Sequence, residues 1–290
     1  MATFDDANIA VYALSYDEAD ALRDFRDAHG ITFKLISDPH SEVISAFGIL
    51  NTLIDANDHP WYGIPYPGTF VLDTAGTITH KFFDNNLAVR AGPEQMLRAL
   101  SGKDEIEVAA TAIQETTVAT PTKTQAVAVN VAFAGDKLGP IVQRDLVVRF
   151  QVPAGRHVYA SPAPAGSVAV AVTLDDDPRV VERPMLRPAS EPHTLTGTGE
   201  TMQVHNGTFE LRLPVTLNAS DPSMTEYELS GTVHWQACDN DVCDIPASQR
   251  FQITVPVIEA PAVALGNATG AAIEPNAMQH FQRMSQRRSK

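Results

Sequence analysis

The chain has 290 residues, with 35 acidic against 21 basic side chains for a net charge of −14, and only two cysteines. At roughly 150 residues per domain this length suggests about two domains, and 44% hydrophobic residues with 12 Phe and 2 Trp can fill packed cores, which excludes wholesale disorder. The acidity argues against nucleic acid and anionic membranes as partners, since both need Lys/Arg surfaces, and no apolar run approaches the ~18 residues of a membrane span.

Positions 1–10 carry Asp5 and Asp6 but no Lys or Arg, and do not read as a signal peptide. Residues 8–14 are apolar and β-prone. Ser15-Tyr16-Asp17-Glu18 then fits a capping box, Ala19, Leu22 and Phe25 recur at helical spacing, and Gly30 supplies a left-handed stop. A strand is predicted over 32–36. Asp38-Pro39 opens a second helix, with Val43, Ile44 and Phe47 as its buried stripe and Gly48 as its end. Strands at 69–72 and 77–83 flank the turn Asp73-Thr74-Ala75-Gly76, and a last helix from Pro93 is expected to bury Met96, Leu97 and Leu100. Residues 1–104 therefore form an α/β layer pattern. The Ala/Thr/Glu/Gln stretch that follows, broken by Pro121, reads as a linker over 105–125.

From 126 to 258 the periodicity changes. Val127, Val129, Val131 and Phe133 recur at every second position, as do Leu146, Val148, Phe150 and Val152, then Val168, Val170, Val172 and Leu174. The same pattern runs through Phe209–Leu217, Leu229–Trp235 and Phe251–Val257. Many short period-two runs separated by Pro, Gly and Asp predict an all-β sandwich. Residues 259–290 read as a flexible tail, whose last thirty residues hold one acid and four bases.

Both cysteines fall in one loop. On a strand over 227–238, Leu229, Val233, Trp235 and Ala237 point one way and His234, Gln236 and Cys238 the other. Asp239-Asn240-Asp241 favours a tight return that could bring Cys238 and Cys243 together. Three chemistries fit: a structural bridge or two unpaired thiols; a metal site using His234 with both cysteines, though no further ligand cluster offers itself; or a redox pair. A bridge closing so short a loop constrains the unfolded chain little and adds modest stability. Asp239, Asp241 and Asp244 disfavour a thiolate, so the pair suits being attacked by a low-pKa cysteine elsewhere.

The stretch Val233-His234-Trp235-Gln236-Ala237-Cys238, then Cys243 and Pro246, together with Pro153-Ala154-Gly155-Arg156-His157-Val158-Tyr159-Ala160 and Glu191-Pro192-His193-Thr194, resembles the N-terminal domain of the thiol:disulfide interchange protein DsbD over residues 126–258. That resemblance implies an immunoglobulin-like sandwich whose cysteine pair relays electrons. Cys238 and Cys243 would inherit that role, with His234, Trp235, Asp239 and Asp241 around them. The implied partner is a thioredoxin-like or other redox protein, met through a transient mixed disulfide, with no cofactor or metal. The resemblance also points outside the cytoplasm. On this basis Cys243→Ser is expected to trap a partner through Cys238.

The first hundred residues resemble part of a redoxin of the AhpC/TSA family, a thioredoxin-like fold, through Ala13-Leu14-Ser15-Tyr16-Asp17, Leu35-Ile36-Ser37-Asp38-Pro39, Ala46-Phe47-Gly48 and Pro65-Tyr66-Pro67-Gly68-Thr69-Phe70-Val71-Leu72-Asp73. Pro67 aligns with that family's cis-proline, while from the residues alone it reads as a proline leading into a strand. The family's cysteine-bearing strand and helix would lie upstream of residue 8, and residues 1–237 contain no cysteine, so no peroxidatic thiolate is available. An incomplete domain is expected, in which the strand near residue 9 lies apart from that at 69–72 and Phe25 and Phe47 are uncovered. The nine histidines show no i,i+4 pair, Asp175-Asp176-Asp177 lacks the spacing of a calcium loop, and no phosphate-binding glycine loop occurs. The rival to a redox protein is a non-catalytic binding or scaffold protein with a structural disulfide and a vestigial redoxin domain.

Overall fold

In a computed structural model the described residues are 2–54, 62–84, 86–102, 110–111, 113–115, 126–195, 199–217 and 223–258. They fall into two compact units, one on residues 2–69 with 86–88, the other on residues 70–84 with 89–258. The expected tail and most of the expected linker lie outside the described residues.

The first unit contains α1 (Ala2–Asp6), β1 (Tyr12–Ser15), α2 (Ala19–His29), β2 (Lys34–Ser37) and α3 (Glu42–Ala46). β1 and β2 pair in parallel from Tyr12↔Lys34 to Ser15↔Ser37. Gly30 closes α2 at φ 61°, its N–H reaching Arg26 O, as a residue without Cβ allows. The expected capping box does not form. The ladder holds Ser15 as the last residue of β1, its hydroxyl bonds the Asp17 carboxylate, and Glu18 becomes the N-cap. The second helix also starts later than Asp38-Pro39, because the Asp38 carboxylate accepts the amides of Glu42 (2.9 Å) and Ile44 (2.8 Å) from ahead of the first turn. Of its expected stripe only Ile44 is buried; Val43 and Phe47 are exposed. Phe25 is also exposed, as expected.

In the second unit β3 (Thr69–Leu72) and β4 (Ile78–Phe82) form a hairpin, with Asp73 Oδ1 accepting the amides of Ala75 and Thr77. As expected, β1 and β3 belong to separate two-stranded sheets. Next comes α4 (Pro93–Ser101), expected to bury Met96, Leu97 and Leu100. Its buried residue is instead Gln95, while Leu100 is exposed. Docking is polar: Gln95 Nε2 donates to Asp145 Oδ1 at 2.8 Å, Arg98 lies 3.6 Å from Asp145 Oδ2, and Glu94 pairs with Arg144. Asp84, after β4, is tied to Arg183 at 2.7 Å.

The remaining strands are β5 (Ala110–Thr111), β6 (Ile113–Glu115), β7 (Ala128–Ala134), β8 (Arg144–Gln151), β9 (His157–Tyr159), β10 (Ala171–Leu174), β11 (Val180–Glu182), β12 (Glu191–Thr194), β13 (Thr201–His205), β14 (Thr208–Leu217), β15 (Glu226–Trp235), β16 (Ala237–Cys238) and β17 (Ala247–Pro256). They form three sheets, in the orders β10-β15-β17-β6, β11-β14-β8-β7-β5 and β12-β13-β9-β16. β5 and β6, inside the stretch expected as linker, add short strands beside β7 and β17.

The alternating residues meet in one core, including Val131, Phe133, Leu146, Val148, Phe150, Leu211, Leu229 and Phe251. Each large side chain so buried contributes roughly 1.5–3 kcal/mol relative to exposure. Phe150 stacks on Phe209 at 4.9 Å and meets Trp235 edge-on at 6.1 Å. Gly231 is required where β15 crosses this core, because a Cβ there would stand 2.4 Å from Thr173 O and 2.8 Å from Phe251 Cζ. The sandwich and the redoxin-like α/β segment are thus the two architectures the patterns predict.

His205, buried at the end of β13 against Phe209 (ring centroids 4.6 Å apart), has its pKa pushed down by burial and by Arg187, against a hydrogen bond that its ring donates to the Ala189 backbone and the charge of Glu191. The unfolded chain, with a histidine pKa near ~6.5, then binds the proton first. The associated stability is complete above about pH 6.5 and is lost as pH falls through the lower folded-state value. We expect the thermal midpoint to drop between about pH 6.5 and 5, and His205→Gln to flatten that drop in a melting series.

Candidate functional site

At Gln236 the chain changes sheets. β15 ends at Trp235, in register with Ala247 of β17, while β16 pairs instead with β9, Ala237 opposite Val158 and Cys238 opposite His157. The single strand expected over 227–238 is therefore two. Buried Gln236 holds the crossover: its Oε1 accepts from Val168 N (2.9 Å) and its Nε2 donates to Asp244 O (3.0 Å). The loop then turns on Asp239, whose carboxylate accepts the amides of Asp241 (2.9 Å) and Val242 (2.8 Å). Backbone bonds from Asp239 N to Val242 O and from Asp244 N to Ala237 O close it.

Cys238 and Cys243 are joined in a disulfide, with Cα atoms 4.0 Å apart. Their surroundings are unequal. Cys238 is only 1% exposed and packs with Tyr159, Met202 and Val204 in a small core of its own, on the face of the β12-β13-β9-β16 sheet opposite Val158 and Ala237. Cys243 is exposed, and so are its neighbours Val242 (55%) and Ile245 (74%). The Tyr159 hydroxyl lies 3.2 Å from Cys243 Sγ and must be the donor, since a sulfur in a disulfide has no hydrogen. Arg156 pairs with Asp244 beside the loop.

Of the residues the sequence singles out, Asp239 shapes the loop and Asp241 is exposed on it. Trp235 lies in the main core, and half-buried His234 sits between Ala171 and Ser248 in the neighbouring sheet. No group of three or more His, Cys, Asp or Glu that could hold a metal occurs among the described residues. Pro67 belongs to the first unit; the only cis peptide bond among the described residues is Ser161–Pro162, so Pro67 follows a trans bond ahead of β3. Sequence reasoning missed Tyr159, Arg156, His157 and Gln236 as neighbours of the pair. Three of them lie within the Gly155–Ala160 motif that carries the resemblance, and for His157 and Tyr159 their shared parity on one strand was the available signal.

His157 stands directly across from Cys238, 3% exposed, its ring 4.3 Å from that of His193. Burial pushes its pKa down; His193 and Arg156 push the same way and Asp239 opposes. A pocket reaches these rings past Gly155, Arg156, Asn206 and Asn240.

Residues 123–255 match the family model of the thiol:disulfide interchange protein DsbD, N-terminal. Residues 1–81 match the AhpC/TSA family. The chain is also 38% identical over 79 residues to two Mycobacterium tuberculosis proteins that carry a peroxiredoxin designation, from strains CDC 1551 / Oshkosh and ATCC 25618 / H37Rv. That match covers 26% of this chain and 46% of each relative, so the chain spans about half their length. Among solved structures, the N-terminal periplasmic domain of ScsB from Proteus mirabilis aligns with a TM-score of 0.34 at 15% identity, over 58% of this chain and 56% of that one. The chain thus joins an AhpC/TSA-like segment to a DsbD N-terminal-like sandwich bearing a disulfide-bonded pair, the ingredients of thiol–disulfide redox chemistry. No helix among the described residues is long and apolar enough to cross a membrane.

Proposed function

We propose that the DsbD-like sandwich relays electrons by exchanging its disulfide with a thioredoxin-like partner, and that Cys243 is the sulfur attacked. The observation that carries this is the inequality of the two cysteines, one exposed among apolar side chains and one buried. Exchange requires a thiolate to approach along the S–S axis from the far side of the sulfur it attacks, and access limits the rate. Attack on Cys243 expels Cys238. The partner's second thiol then displaces Cys243, leaving the partner as a disulfide and the pair as a dithiol. Run in reverse, the dithiol reduces another oxidised protein. Exposed Val242 and Ile245 offer apolar contact around the point of attack, as a protein partner would use. The AhpC/TSA-like segment has no cysteine, so all thiol chemistry of this chain rests on this pair.

The test is equilibration with glutathione buffers, reading free thiols by alkylation and mass. A working relay should titrate between about −180 and −280 mV, the range of thioredoxin-like couples. A midpoint well below about −300 mV would mark a structural bridge and the scaffold alternative.

A further inference from the structure

Expelling Cys238 leaves a problem that the exchange proposed above does not solve. The leaving thiolate appears at a residue 1% exposed, packed against Tyr159, Met202 and Val204. A charge formed there without a counter-charge or proton is strongly disfavoured. Tyr159 is engaged with the other sulfur, Cys243. Arg156 is turned to Asp244.

One group faces Cys238 directly. His157 is its partner across the β9–β16 pair, and residues opposite one another in an antiparallel pair project to the same face with Cβ atoms about 4.5–5.5 Å apart. The packing bears this face out, since Tyr159, two residues along from His157, shares the small core with Cys238. His157 Nε2 is buried and has no hydrogen-bond partner, an uncommon state for a buried polar atom. The pocket at Asn240, Asn206 and His193 connects the imidazole to solvent.

We propose that His157 delivers the proton that Cys238 takes up when the disulfide is reduced. This rests on the exchange function proposed above. The partner thiolate forms a bond to Cys243 Sγ, the Cys243–Cys238 bond breaks, and its electron pair leaves on Cys238. The His157 imidazolium protonates that sulfur and is recharged from water through the pocket. The partner's second thiol then forms the partner disulfide and releases Cys243, which takes its proton from solvent. Two electrons and two protons have passed to the pair. The groups around the imidazole are His193 from β12, Tyr159 from its own strand, Arg156 just ahead of that strand, and Cys238 and Asp239 from β16 and its loop; Met202 and Val204 of β13 are not titratable. Burial disfavours the His157 imidazolium, with His193 and Arg156 acting the same way and Asp239 opposing, so the share of the proton-bearing form grows as pH falls.

The experiment measures reduction of the oxidised full-length protein by dithiothreitol from about pH 5 to 8, with rates normalised to the dithiothreitol thiolate, for wild type, His157→Phe and His157→Gln. Wild type should speed up as pH falls, and both variants should lose that rise and react ~10²-fold more slowly at the acid end, within the range of general acid catalysis. Glutamine can hydrogen-bond a thiolate but cannot deliver a proton, so His157→Gln carries the test should phenylalanine impair folding. A wild-type-like pH rise in His157→Gln, or a wild type whose normalised rate ignores pH, overturns the role of His157 while leaving exchange intact. A wild type that resists reduction altogether overturns the exchange function itself.

Discussion

Cys238→Ser should accumulate a covalent complex with a thioredoxin-like partner that lacks its resolving cysteine and carries its remaining one as a thionitrobenzoate mixed disulfide, the variant's thiolate displacing thionitrobenzoate, while Cys243→Ser should not. The expectation from the sequence is the opposite pairing, with capture through Cys238 in Cys243→Ser; the burial of Cys238 argues for Cys243 instead. With Cys238 replaced, the remaining thiol is Cys243, exposed between Val242 and Ile245 and held by the Tyr159 hydroxyl. With Cys243 replaced, the remaining thiol is 1% exposed beneath Tyr159 and the loop, reachable only after local opening. Each 1.4 kcal/mol of opening free energy reduces the accessible fraction tenfold. We expect at least ~10-fold more adduct from Cys238→Ser, read as a mass shift on a non-reducing gel that dithiothreitol removes. Equal trapping by both variants would mean that the loop opens freely and that burial does not select the sulfur. Trapping by neither would count heavily against electron relay.

Asp145→Ala should be the most damaging single substitution outside the apolar core. The carboxylate is 2% exposed on β8 and meets Gln95 at 2.8 Å, Arg98 at 3.6 Å and buried Arg212 at 3.7 Å. Truncating it leaves the Gln95 amide with its longer bond to Gln143 Oε1 (3.4 Å) and removes from beside the buried Arg212 guanidinium a carboxylate that balances its charge together with Glu210. Breaking a buried pair by removing one partner costs about 3–5 kcal/mol, because the other charge stays behind. Gln95→Ala should cost only about 1 kcal/mol, the net worth of an ordinary hydrogen bond. Denaturant titration separates the two, and hydrogen exchange should show the α4 amides of the Asp145 variant losing protection ahead of the sandwich strands. If Asp145→Ala unfolds within 1 kcal/mol of wild type, the polar docking of α4 is not what holds that helix.

The contrast between these sites explains what could be read in advance. The sandwich was legible because alternation along Phe209–Leu217 or Phe251–Val257 depends only on a residue's own strand and the face it covers. The docking of α4 was not, because the meaning of Gln95 lies fifty residues away at Asp145, and counting the apolar residues Met96, Leu97 and Leu100 does not reveal a helix held by an amide and two half-buried charges. Ser15 misled for a related reason: its hydroxyl could serve a helix, but the pairing of β1 with β2 claimed its backbone first. At the cysteines parity was right and its interpretation incomplete. Cys238 does face away from the main core, yet that outer face has a cover of its own in Tyr159, Met202 and Val204. The change of sheet at Gln236 likewise depends on its partners at Val168 and Asp244, which no local pattern announces.

The anchors of the cysteine loop contain no sulfur. Gln236 grips Asp244 and Val168, Asp239 grips the amides of Asp241 and Val242, Asp244 N bonds Ala237 O, and Arg156 holds the Asp244 carboxylate. Opening the S–S bond removes none of them. The loop backbone can therefore keep its shape when the two sulfurs part, so the relay proposed above would require side-chain movement at the pair and little rearrangement of the surface offered to a partner.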